Sequence, residues 1–170
     1  MSTRTNTLLL LRHAKSDYPD GVADHERPLA ARGIREAALA GDWIRANVPA
    51  IDAVLCSTAT RTRQTLARTG IDAPVRYVER LYDATPGAVI DVINGVESQF
   101  GTDLATVLLI GHEPAMSATA LGLSDGSNTA AAQEISLKFP TSSIAVLQTG
   151  GPWHELGPGG AELVTFHVAR

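Results

Sequence analysis

Four consecutive leucines, Leu8 to Leu11, run directly into Arg12 and His13. A short, wholly apolar run bounded by polar residues predicts a strand buried on both faces, as in the centre of a parallel sheet covered by helices. Sheets of this kind bind their ligands just beyond the carboxyl ends of the strands. The run therefore delivers a cation and an imidazole to the place where a ligand would sit. Taken alone, the same dipeptide also reads as a solvated basic strand end, and only the rest of the chain can separate the two.

The remaining pattern is alternating. Residues 28–48 place Leu29, Ile34, Ala37, Ala38, Trp43 and Ile44 broadly on one side of a helix that Pro49 ends. Strands are expected at 52–56, 75–78 and 106–110, and helices at 59–69, 88–100 and 114–123. A hairpin of strands at 143–147 and 163–168 closes the chain across the Gly/Pro-rich stretch 150–160, and the small, polar residues 124–132 read as a surface loop. Strand-helix alternation predicts an α/β fold, a three-layer α/β/α sandwich around a mainly parallel sheet of about six strands. At 170 residues and 44% hydrophobic content, one domain spanning residues 1–170 is expected.

Composition removes several function classes. A net charge of −4 with no cluster of Lys or Arg argues against a nucleic-acid groove, which must neutralise several phosphates. The leucine run is too short to span a bilayer, and the N-terminus has no charged start followed by an apolar core and cleavage site, so a cytoplasmic protein with no membrane partner is expected. Cys56, the one cysteine, cannot build an internal disulfide and reads as a small buried hydrophobe.

Three strand ends carry the chemistry. The first ends in Arg12-His13, the second runs through Cys56-Ser57 into a helix start at Thr58-Ala59-Thr60-Arg61, and the strand at 106–110 ends in Gly111-His112-Glu113-Pro114. As parallel neighbours, these ends bring two histidines and two arginines to one edge. Arginine's planar fork pairs with phosphate oxygens, a helix N-terminus adds backbone donors, and Gly111 permits close approach of backbone to ligand. A neutral imidazole can attack phosphorus and become transiently phosphorylated. A metal site on His13 and His112 is the competing reading, but no Asp, Glu or Cys neighbour shows metal-ligand spacing, so no metal or other cofactor is expected.

The three blocks resemble the histidine phosphatase superfamily, also called phosphoglycerate mutase-like: Leu11-Arg12-His13-Ala14, then Ser57 to Thr65 with Arg61, then Gly111-His112-Glu113-Pro114. Further blocks, His13-Ala14-Lys15-Ser16, Asp24-His25-Glu26-Arg27-Pro28-Leu29 with Gly33, Leu81-Tyr82-Asp83-Ala84 and Lys138-Phe139-Pro140-Thr141-Ser142-Ser143, are similar to the SixA-type phosphohistidine phosphatases. The resemblance implies a phosphoglycerate mutase-like fold without a lid domain. It makes His13 the nucleophile, with Arg12, Arg61 and His112 holding the phosphoryl oxygens. Lys15 and Ser16 would add loop donors to the substrate. His13 must be neutral to attack, so its other ring nitrogen should donate to a backbone carbonyl or similar acceptor.

Many members of the superfamily protonate the leaving oxygen with a carboxylic acid, often from an insertion after the third strand. Between Glu79 and Thr106 there is room only for a helix and short loops, which implies an open site. Glu79, Asp17 and Asp83 are the candidate acids, Glu79 and Asp17 ranking first from their nearness to strand ends. An imidazole leaves readily once protonated, so a weak or absent acid suits phosphohistidine better than a phosphate ester. Arg27 is expected to anchor the loop before the first long helix through a salt bridge. Arg63 is expected to point away, His25, His154 and His167 to lie on the surface or an edge strand, and Trp43 and Trp153 to serve packing.

The leading expectation is thus a phosphatase acting on phosphohistidine carried by a partner protein, the domain itself being monomeric. A broad phosphomonoesterase for small phosphorylated metabolites would use the same pocket. A mutase would need a more enclosed site, and a non-catalytic phospho-binding module would have no need of His13.

Overall fold

The structure is a computed structural model that describes residues 5–170. Among these residues six strands form one sheet: β1 (Asn6–Arg12), β2 (Ala53–Ser57), β3 (Val75–Val78), β4 (Thr106–Gly111), β5 (Ser143–Thr149) and β6 (Glu162–Val168). Their spatial order is β3-β2-β4-β1-β5-β6. β1 to β4 are mutually parallel, β5 runs antiparallel to β1, and β6 runs antiparallel to β5.

Helices cover both faces, and the strand pleat assigns each residue to one of them. Leu8, Leu10, Leu55, Val107 and Leu109 pack under α3 (Pro86–Asn94), α4 (Val96–Phe100), α5 (Ala115–Leu123) and α6 (Thr129–Leu137). Leu9, Leu11, Val54, Cys56, Leu108 and Ile110 pack on the other side with Ala40 and Ile44 of α1 (Ala31–Asn47) and Leu66 of α2 (Thr60–Thr69). The leucine run is buried because it feeds both cores at once. This is the expected three-layer α/β/α sandwich. No domain is inserted over the carboxyl edge of the sheet among the described residues, and none of their helices is long and apolar enough to cross a membrane.

Several boundaries differ from expectation for local reasons. Residues 124–132 are not all loop, because Asn128 caps α6, its side chain accepting the N–H of Ala131 at 3.1 Å, while Ala131 and Ile135 turn into the core. The helix expected at 88–100 is two, broken at Gly95, and the first starts earlier, at Pro86, behind the capping side chain of Thr85. α1 begins at Ala31 because Leu29 is still extended, bridged to Ser16. The closing connection holds a 3₁₀ turn, Trp153–Glu155, which sinks Trp153 completely and lets its indole N–H donate to the Leu104 carbonyl at 2.7 Å. Trp43 stacks on His167 with ring centroids 4.6 Å apart. Cys56 is fully buried, and desolvation pushes its thiol up to about 12.

Two glycines let α1 lie against backbone. A Cβ on Gly33 would stand 2.1 Å from the Lys15 carbonyl oxygen, and one on Gly41 would stand 2.1 Å from that of Thr69. Gly122, near the end of α5, faces open space. Chemical denaturation should therefore show Gly41→Ala losing about 1–3 kcal/mol through enforced separation of α1 from α2. Gly122→Ala should gain roughly 0.5–1 kcal/mol from reduced backbone freedom; equal effects at the two positions would contradict the close contact.

Candidate active site

Parallel pairing sets Arg12 opposite Gly111, and Cys56 opposite Ile110, so β1, β2 and β4 end side by side. The register carries His13 onto the Gly111 carbonyl, to which its N–H donates at 3.0 Å, and leaves the rings of His13 and His112 5.3 Å apart. Gly111 also serves packing, since a Cβ would meet the Met116 methyl at 2.9 Å.

His13 is buried, and its Nδ1 lies 2.7 Å from the Ala14 carbonyl oxygen. A carbonyl only accepts, so Nδ1 carries the proton and the Nε2 lone pair is left for chemistry. Burial pushes the ring's pKa down to about 3, with His112, Arg61 and Arg12 adding repulsion. His112 is also buried, with Nε2 2.8 Å from Ser57 Oγ, and desolvation followed by repulsion from Arg61 brings it down to about 4.

The two arginines are aimed by acceptors behind them. Arg12 Nη1 donates to the Phe139 carbonyl at 2.9 Å, and Arg61 donates from Nη1 to the Asp24 carbonyl at 2.7 Å and from Nη2 to Asp24 Oδ2 at 3.2 Å. Arg12 Nε, Arg61 Nε and His112 Nδ1 remain buried without a protein partner. Buried donors are rarely left unpaired, and these belong to side chains whose charges act on one another. Two such donors, with His112 Nδ1 as a third where the Ser57 hydroxyl donates to Nε2, suit a tetrahedral oxyanion beside a free imidazole nitrogen.

Sequence reasoning did not assign roles to the residues that organise these groups. Asp24 accepts from the Tyr82 hydroxyl, from Arg61 and, at 3.1 Å, from Arg27 Nε. The Tyr82 hydrogen bond, followed by Arg61, holds its carboxyl down at about 2. His25, expected on the surface or an edge strand, instead packs edge-on against Tyr82 and lies 2.9 Å from Thr58 Oγ1 through Nε2. The only signal for Asp24, His25 and Tyr82 was their place in the resembling blocks.

The other candidates fall in different places. Lys15 is exposed, and its carbonyl accepts from Ala30. Ser16 is buried with its hydroxyl already accepting from Arg27 Nη1 at 2.9 Å. Arg27 makes the expected anchoring ion pair, with Asp24, and Arg63 turns outward over the Tyr77 ring. Asp17 is exposed and accepts from the Tyr18 N–H, while Glu79 accepts from Thr58 Oγ1 at 3.3 Å. A cleft of about 260 Å³ is lined by Asp24, Arg61, Tyr82, Asp83, His112 and Glu113, and so by neither Asp17 nor Glu79. Glu113 is held by the backbone N–H and hydroxyl of Ser117, at 2.6 and 2.7 Å.

The buried imidazoles make stability depend on pH. Both titrate lower in the folded state than the ordinary 6.5. The unfolded chain therefore binds more protons between about 3 and 6.5, and the fold loses stability as pH falls through that window. Thermal unfolding in phosphate-free buffer from about pH 7 to about pH 4 should show a steeper fall in Tm for the wild type than for His13→Ala or His112→Ala. Parallel slopes would contradict the desolvation of these rings.

Comparison with known proteins agrees with the geometry. An uncharacterised protein of Mycobacterium tuberculosis is 63% identical over 162 residues, covering 94% of this chain and all of the relative. A solved structure from Nakamurella multipartitia, assigned as a phosphohistidine phosphatase SixA, superposes with a TM-score of 0.87 at 40% identity and covers 96% of this chain and 95% of its own. Phosphohistidine phosphatase SixA of Escherichia coli is 28% identical over 141 residues, 81% of this chain and 82% of that protein. The model of the histidine phosphatase superfamily (branch 1) matches residues 8–92, which hold Arg12, His13 and Arg61, and the chain belongs to that superfamily.

Proposed function

We propose that the protein is a phosphatase that removes the phosphoryl group from phosphohistidine on a partner protein, through a covalent phosphohistidine on His13. The observation that carries this reading is the set of three buried nitrogens without partners, the donors Arg12 Nε and Arg61 Nε together with His112 Nδ1, beside an imidazole whose Nε2 is unprotonated. Membership of the superfamily and likeness to SixA proteins support phosphatase chemistry.

In the first step the His13 Nε2 lone pair forms a bond to phosphorus as the bond to the donor's imidazole nitrogen breaks. The donor ring leaves neutral because it was protonated beforehand. Arg12, Arg61 and His112 hold the three equatorial oxygens, where charge must be stabilised during transfer. An arriving dianion reverses the electrostatics that keep His112 neutral and favours its imidazolium. In the second step water attacks phosphorus, the bond to Nε2 breaks, the electron pair returns to His13, and inorganic phosphate departs with the proton of water passing to solvent.

The open cleft supports a substrate side chain presented on a protein surface, and the acid is assigned differently from the leading expectation. Of the carboxylates lining the cleft, Asp24 is held by three donors and Glu113 by Ser117, whereas Asp83 is exposed and stands in a left-handed turn at φ 57°. Asp83 is therefore our candidate for protonating an ester leaving oxygen; a protonated imidazole does not require it.

Turnover on a phosphohistidine peptide in metal-free buffer should fall at least about a thousand-fold in His13→Ala while orthovanadate still binds. Activity that survives His13→Ala would remove the nucleophile. Asp83→Asn should cut hydrolysis of a phosphoserine peptide about a hundred-fold and leave phosphohistidine within about threefold. Rapid wild-type hydrolysis of small phosphate esters with none of phosphohistidine would instead indicate a general phosphomonoesterase.

A further inference from the structure

Tyr18 is 70% exposed, and a lone exposed aromatic ordinarily needs no explanation. This one is held in place. The guanidinium carbon of Arg27 sits 4.0 Å from the ring centroid, a cation–π contact that covers one side of the ring. Arg27 is itself fixed, donating from Nη1 to Ser16 Oγ at 2.9 Å and to the Asp17 carbonyl at 3.2 Å, and from Nε to Asp24 Oδ1 at 3.1 Å. Asp24 in turn grips Arg61. On the backbone, the Tyr18 N–H donates to Asp17 Oδ1 at 3.0 Å.

The ring is thus the outer end of a chain of contacts, Tyr18 to Arg27 to Asp24 to Arg61, that ends on the anion site. Its phenol also lies within electrostatic reach of the Arg12 guanidinium. Tyr18 joins none of the apolar cores and keeps most of its surface bare.

We propose that Tyr18 is a specificity-determining residue, the aromatic shelf against which the imidazole leaving group of the phosphoryl donor lies while phosphorus is held at His13. The inference rests on the phosphohistidine reading above. A flat ring stacks on a flat ring, and an imidazole must be protonated to leave. The π-face of tyrosine attracts the cation more than the neutral ring, so the contact strengthens in the form that reacts. An alkyl leaving group offers neither feature.

The test compares Tyr18→Ala, Tyr18→Phe and Tyr18→Trp on phosphohistidine and phosphoserine peptides of otherwise identical sequence, with inhibition by orthovanadate as a probe of the anion site. Tyr18→Ala should lower kcat/KM on phosphohistidine about fivefold, and the Phe and Trp variants should stay within about twofold of wild type. Phosphoserine turnover and orthovanadate inhibition should not move. Unchanged phosphohistidine turnover in Tyr18→Ala would overturn the proposal, as would an equal loss on both peptides and on orthovanadate, which would mean that only the Arg27–Asp24–Arg61 chain was disturbed. If the wild type does not hydrolyse phosphohistidine, the parent reading fails separately. The same variants on aryl and alkyl phosphates then decide the shelf, a loss confined to aryl substrates sustaining it and no difference refuting it.

Discussion

Two guanidinium groups and two imidazoles are forced together at the ends of three strands, and their mutual repulsion is the condition to which the surrounding structure responds. Arginine does not give up its proton in a protein. The imidazoles do, and burial with the nearby cations keeps both neutral at ordinary pH. Asp24 supplies the compensating negative charge, and its own position requires Tyr82, Arg27 and Arg61 to be where they are. The conformation of the loop that carries Asp24, and of the turn that carries Tyr82, follows from the need to place one carboxylate.

The site is left incompletely satisfied by the protein's own groups. Arg12 spends one terminal nitrogen and Arg61 both on acceptors that aim them, and each keeps a buried Nε with no partner. A buried donor without an acceptor costs the water it has lost. An oxyanion would offer such donors acceptors. Rigidity comes from elsewhere, from leucines shared between two cores and from glycines that seat α1 directly on the Lys15 and Thr69 carbonyls.

Much of this was legible in the chain. The leucine run, the Arg-His pair, the helix start holding Arg61 and the Gly-His pair were each visible, because apolar runs and strand-end residues are local signals, and parallel pairing is enough to bring such ends together. The supporting residues were not legible. Nothing local says that Asp24 will meet Arg61, thirty-seven residues away, or that Tyr82 will meet Asp24 across fifty-eight. Ser16 looked like a phosphate donor because it follows the nucleophile closely, yet its hydroxyl is taken by Arg27. α6 was hidden because small polar residues at 124–128 run into its alanines without an apolar boundary, and only the Asn128 cap marks the start.

β5 lies beside β1 although it arises far later in the chain, and this has a consequence for synthesis. The Phe139 carbonyl aims Arg12, and the Ser142 N–H lies 3.2 Å from the carbonyl oxygens of both Arg12 and His13. A ribosome makes Arg12 and His13 early but must add about 130 further residues before those partners exist. Until then the arginine has no carbonyl to orient it and the strand end has no clamp. A nascent chain that already holds His13, both arginines and His112 therefore still lacks the contacts that orient Arg12, and this strand end is complete only when the antiparallel strand has emerged and docked.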